Sequence, residues 1–209
     1  FKLTTASGKT IRTTGYHPYL VAPKLPTPRV AIFIDGANIS ASTRHMNARL
    51  DYQKLLDFFG GRTSIVFAGY YHPDFDHEGQ ERFFGRMKYL GYKLITKILK
   101  VIKHRGEEDE NKANFDVEIA TDASLSISEY DIAVLFSGDS DFVYLAKRLQ
   151  KLGKKVIVIA PYKSTATELR NQSDMYVSIA DMPFIDFVNN GKQDVELKQD
   201  IKQNSGKEK

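Results

Sequence analysis

Two apolar runs along this chain break off in the same way. Positions 30–34 are apolar without interruption and stop at Asp35-Gly36, while positions 132–136 stop at Ser137-Gly138-Asp139-Ser140-Asp141. A strand that is apolar at successive positions is buried on both faces, as in a parallel sheet covered by helices. Further strand patterns fall at 64–71, 93–99, 155–159 and, as a final edge strand, 175–179. Helical patterns fall between them near 52–59, 80–90, 115–125 and 142–152, with a short one at 164–171. Gly91 and Gly153 stand where helix C-caps belong, each just ahead of a strand. This alternation predicts an α/β fold, a three-layer α/β/α sandwich around a central, mainly parallel sheet. Asp35-Gly36 reads as a turn into a loop, and 104–111 as a polar loop.

Flanking segments differ in character. Residues 1–28 carry Pro18, Pro23, Pro26 and Pro28 and read as an N-terminal extension and linker. The main domain is expected over 29–188, and 189–209 form a charged tail with few apolar anchors.

Composition narrows the chemistry. The 209 residues are 42% apolar and 11% aromatic, enough for one domain with a sizeable core. With no cysteine, thiolate zinc sites, disulfides and cysteine nucleophiles are excluded. No apolar stretch approaches the length of a membrane span and the start lacks a signal-peptide core, so a soluble, cytoplasmic protein without membrane attachment is expected. The net charge is +4, but residues 1–29 alone carry +5, which leaves the rest at −1. Within the main domain Arg82, Arg86, Lys97, Lys100, Lys103 and Arg105 lie in a basic stretch while the aspartates gather elsewhere. An acidic site beside basic surface suits metal-assisted cleavage of a polyanion.

The candidate acids are Asp35, Asp116, Asp139 and Asp141. If the strands at 30–34 and 132–136 are neighbours, Asp35 and the Asp139/Asp141 pair emerge at one carboxyl edge, where open parallel sheets bind ligands. Asp116, near the start of its helix, can reach the same space. Two carboxylates about 5 Å apart repel by roughly 3 kcal/mol at an effective dielectric near 20, so three or four need a cation or a shared proton. Hard oxygen ligands select Mg²⁺ or Mn²⁺. Local alternatives stay open: Asp139, Ser140 or Asp141 as a helix cap, and Asp116 opposing a helix dipole. Asp122, six residues beyond Asp116 and so about 120° around the helix, cannot face the same ion and is kept as a supporting residue.

Three segments, F-I-D-G-A-N-I (33–39), K-A-N-F-D-V-E-I-A-T-D-A (112–123) and L-F-S-G-D-S-D-F (135–142), resemble the motifs of NYN domains of the LabA-like kind, a family similar to PIN-domain nucleases. The resemblance implies a PIN-like fold and a Mg²⁺- or Mn²⁺-dependent endoribonuclease acting on single-stranded or structured RNA. It makes Asp35, Asp116, Asp139 and Asp141 the catalytic and metal-binding set. Asn38 would orient a carboxylate or phosphate from the loop after the first strand, and Ser137 would be a supporting hydroxyl. Where the family has glycine and valine before the helix aspartate this chain has Asn114-Phe115, an exchange expected to alter packing more than chemistry. A homodimer is left open. A weaker likeness links 13–21, with His17, to Hint and intein domains; the nucleophile such a domain requires is missing and His17 is assigned no function.

Other candidates are less telling. His45, His72, His77 and His104 read as solvated loop residues, and Gly60-Gly61 as a turn. Tyr70, Tyr71, Phe83 and Phe84 offer stacking surface, with core packing favoured for the two phenylalanines. A non-catalytic RNA- or protein-binding scaffold is the alternative function. A haloacid-dehalogenase-type phosphatase would require D-x-D-G, and Ala37 stands at its second aspartate.

Overall fold

The computed structural model describes residues 2–4, 8, 10–12, 26–75, 78–98, 100–102, 110–112 and 114–188. Strands β1 (Lys2–Thr4) and β2 (Thr10–Arg12) pair antiparallel ahead of the main domain. The main domain runs β3 (Arg29–Asp35), α1 (Gly36–His45), β4 (Ala48–Leu50), α2 (Tyr52–Gly60), β5 (Ser64–Asp74), α3 (Glu78–Leu90) and β6 (Lys93–Ile98). After the antiparallel pair β7 (Lys100–Ile102) and β8 (Glu110–Lys112) come α4 (Asp116–Leu125), β9 (Ile132–Phe136), α5 (Phe142–Lys151) and β10 (Lys155–Ala160). The series ends with α6 (Thr167–Gln172), β11 (Met175–Ser178) and β12 (Ile185–Phe187).

Six strands form one parallel sheet in the order β11-β10-β9-β3-β5-β6. Alternate residues of β3 serve opposite layers. Val30, Ile32 and Ile34 pack with Ile39, Leu55, Phe59 and Met87 of α1, α2 and α3. Ala31 and Phe33 pack with Ile119, Ala123, Leu145 and Leu149 of α4 and α5 and with Leu169 of α6. Each fully buried aliphatic or aromatic side chain of this kind is worth roughly 1.5–3 kcal/mol, which fixes the register of the central strands. The α/β/α sandwich expected from the pattern is the observed fold.

From β3 the chain winds outward to β5 and β6, then returns to β9 on the other side of β3 and winds outward again. Strand order therefore reverses between β3 and β9, which pair directly from Val30 against Ile132 to Ile34 against Phe136. The crevice outside the carboxyl ends at such a reversal is where open α/β sheets take their ligands.

Two local expectations are corrected. Residues 36–45 are a helix rather than a loop, because Asp35 caps it by accepting the Asn38 N–H. The pattern hid it because the buried face of α1 is Gly36, Ile39, Ser42 and Thr43, with one large apolar residue. His72 lies within β5, half-buried, rather than in a solvated loop. Strand β4 pairs with β12 across the chain, a contact with no local signature. Within the expected polar loop, Glu110 and Asn111 belong to β8, and 103–109 lie outside the described residues.

Candidate metal centre

Asp116, Asp139 and Asp141 each bring a carboxylate oxygen within 4.8 Å of the other two. Asp116 opens α4, and Asp139 and Asp141 lie on the turn between β9 and α5. The Asp141 carboxylate makes no capping bond to α5, so it remains free to face outward. Asp139 Oδ1 accepts the Asp141 N–H at 3.0 Å, which folds the turn back on itself. Three carboxylates at this spacing, all hard oxygen donors, suit a small divalent cation that keeps part of its water shell.

Asp35 sits deeper, 9% exposed, and is not one of the converging three. Its Oδ1 accepts the Asn38 N–H at 3.1 Å and its Oδ2 the Ser137 hydroxyl at 3.2 Å. Ser137 Oγ in turn accepts the Asp139 N–H at 3.3 Å. Burial is the main cause that pushes the Asp35 carboxyl up from 3.8 to about 6; the two hydrogen bonds oppose it, and the Asp116 and Asp139 charges add to it. Asp116 is also raised, first by burial and then by Asp139, Asp141 and Glu118, against the bond from Asn114. Both shifts mark a site where negative charge is crowded and partly dry.

Close approach holds the cluster in shape. Asn38 Oδ1 accepts the Gly138 N–H at 3.2 Å, and Ala166 N–H donates to Gly138 O at 2.9 Å. A Cβ on Gly138 would lie 2.6 Å from the Ser164 carbonyl oxygen, so only glycine lets the β9–α5 turn meet the segment after β10.

Asn114 fixes Asp116 through two hydrogen bonds. Its Nδ2 donates to Asp116 Oδ2 at 2.6 Å and its Oδ1 accepts the Asp116 N–H at 2.7 Å. The exchange at Asn114-Phe115 thus reaches the acidic cluster itself, while Phe115 is buried in the core as packing would have it. An asparagine two residues before a helix-opening aspartate was the available signal.

The remaining candidates lie apart. Asp122 Oδ2 accepts the Tyr71 hydroxyl at 2.8 Å on another side of α4. Lys97 Nζ donates to the Asn114 carbonyl at 2.8 Å, pairs with Glu118 at 2.6 Å and lies 5.0 Å over the Phe115 ring, so it anchors the start of α4. Arg82 and Arg86 are exposed on α3. Lys100 belongs to β7, and Lys103, Arg105 and 13–21 with His17 lie outside the described residues. Among the described residues no helix is long and apolar enough to cross a membrane.

The NYN domain family matches residues 29–181. The low amplitude and bright protein LabA of Synechococcus elongatus is 34% identical over 158 residues, 74% of this chain and 85% of LabA. A protein of unknown function from Vibrio parahaemolyticus has a solved structure similar to this one, with a TM-score of 0.65 and 26% identity, covering 74% of this chain and 94% of that one.

Proposed function

The chain belongs to the NYN domain family, and on that premise we propose that it is a ribonuclease that hydrolyses RNA phosphodiester bonds with a divalent cation, Mg²⁺ or Mn²⁺. The observation that carries this reading is the convergence of Asp116, Asp139 and Asp141 within 4.8 Å at the reversal of strand order. Those three carboxylates would hold the cation. When bound, it would supply a water of lowered pKa and neutralise charge building on the phosphate.

The rest of the work falls to the chain. Asp35 adds negative charge from the protein side and, through Ser137, holds the turn that carries two of the ligands. Asn38 fixes the same turn from α1, and Asn114 aims the Asp116 carboxylate. Groups hydrogen-bonded to metal ligands in this way commonly matter 10–100-fold. The exposed Arg82 and Arg86 are candidates for phosphate contacts on the flanking strand.

A binding scaffold without cleavage is the second reading, and the −1 charge left outside residues 1–29 favours it, because weak nonspecific RNA affinity follows from so little positive charge. Incubating labelled RNA with the wild type and with Asp139→Asn, with Mn²⁺ and with chelator, separates the two. The nuclease reading expects cutting by the wild type with Mn²⁺ alone. Equal activity of both proteins, or none from either, rejects it.

A further inference from the structure

A cleft of about 690 Å³ opens between α1 and α3 and is lined by Ala37, Ser40, Arg44, His72, Phe75 and Phe83 among others. That volume lies within the range of small-molecule sites. Ala37, Ser40, Ala41 and Arg44 share one face of α1 by their spacing, and that face borders the cleft. From β5, half-buried His72 supplies the floor, stacked on the buried Tyr70 ring beneath it at 5.7 Å and 6° from parallel. Phe83 on α3 and Phe75, 49% exposed, complete an aromatic wall.

The floor reaches the start of α1, next to Asp35. Tyr70 packs directly on Gly36, where a Cβ would fall 2.6 Å from Tyr70 Cζ, and Gly36 follows Asp35. His72 Nδ1 lies 2.8 Å from the Pro73 carbonyl and 3.2 Å from the Gln80 amide nitrogen, which together fix the ring in place. Burial lowers the His72 pKa, against the Pro73 bond that raises it. The buried Gln80 amide donates to Pro73 O at 2.6 Å and accepts the Phe75 N–H at 2.7 Å, which ties the end of β5 to α3.

The rim is cationic. Arg44 and Arg49 border the cleft, both exposed, and neither has a carboxylate within ion-pair distance among the described residues. A smaller hollow of about 240 Å³ continues from Arg49, Tyr52 and Phe83 to Arg86, with Asp51 and Asp186, both paired with Lys54, also on its wall. Aromatic walls beside exposed arginines suit a nucleic-acid strand, base to ring and phosphate to guanidinium.

We propose that this cleft seats a nucleobase of the RNA strand next to the scissile bond, with its phosphate on Arg44 and Arg49 and the strand continuing towards Arg86. The assignment rests on the ribonuclease reading and names how that site holds its substrate. Its test is binding in EDTA, where cleavage plays no part. ¹⁵N-labelled protein is titrated with adenosine 5′-monophosphate, with ribose 5-phosphate and with hexaadenylate. The expected result is movement of the Ser40, Arg44 and Phe83 amides, and binding of the monophosphate at least tenfold tighter than of ribose 5-phosphate. Arg44→Ala/Arg49→Ala, two exposed changes whose folding the same spectra verify, should weaken the monophosphate and hexaadenylate at least tenfold. Equal binding of the two small probes, unmoved cleft amides, or wild-type affinity in the double variant overturns the assignment. Failure of the nuclease reading looks different: the monophosphate still binds in the cleft while RNA stays intact with Mn²⁺.

Discussion

Asn38 and Gly138, one hundred residues apart in sequence, are joined by a 3.2 Å hydrogen bond from the Gly138 N–H to the Asn38 side-chain carbonyl. Through it the first turn of α1 holds the turn that carries Asp139 and Asp141. We expect Asn38→Ala to lower RNA cleavage about 10–100-fold while costing about 1 kcal/mol of stability. Steady-state cleavage beside urea denaturation checks this; a stability loss without any loss of rate would assign Asn38 to folding alone.

Asp35 sets a pH dependence whose sign is fixed by its raised pKa. Between its ordinary value of 3.8 and about 6 the folded chain keeps a proton that the unfolded chain has released. Stability from this group is therefore full below about pH 4 and lost as pH rises through about 6, by up to about 3 kcal/mol at 1.36 kcal/mol per unit. Asparagine caps a helix as well as aspartate does, so Asp35→Asn should keep α1 and remove the loss. In chelator, Asp35→Asn is expected to be more stable than the wild type at pH 7 and to approach it near pH 4.5. Parallel stability curves for the two proteins would contradict the account.

Divalent cation should reverse that penalty. At one hundred times its Kd a ligand stabilises the fold by about 2.7 kcal/mol, a Tm rise of roughly 5–10 °C for a domain of this size. Thermal scans with Mn²⁺ should register this in the wild type and lose most of it in Asp141→Asn. Equal shifts in both would place the ion elsewhere.

Gly138→Ala tests the close approach of two backbone segments. Its Cβ would meet the Ser164 carbonyl oxygen at 2.6 Å and Thr165 Cα at 3.0 Å, neither of which is a flexible side-chain end. A loss of about 1–3 kcal/mol is expected, measured by urea denaturation; a neutral effect would mean the turn moves freely.

Asp122 is held by Tyr71 rather than turned to the cluster. Asp122→Ala strands the Tyr71 hydroxyl and should cost about 1–3 kcal/mol, part of which Tyr71→Phe in the same background recovers. A double-mutant cycle with no coupling would contradict the hydrogen bond.

Much of this was readable in the sequence because it is written in local pattern. The unbroken apolar runs of β3 and β9 announced a parallel sheet, and the aspartates following them announced its carboxyl edge. The helical step separated Asp122 from Asp116 before any contact was known. What stayed hidden depends on tertiary partners. Helix α1 buries Gly36, Ser42 and Thr43, residues with no apolar signature, and is secured by the Asp35 cap. The reach of Asn114 to Asp116 and the cleft walls on either side of Phe83 arise only when distant elements meet.

The account stands most directly on where a cation binds. Crystals soaked in Mn²⁺ should give an anomalous difference peak between the carboxylates of Asp116, Asp139 and Asp141, absent in Asp139→Asn. A wild-type map at saturating Mn²⁺ with no peak there, or with the peak elsewhere, would contradict it.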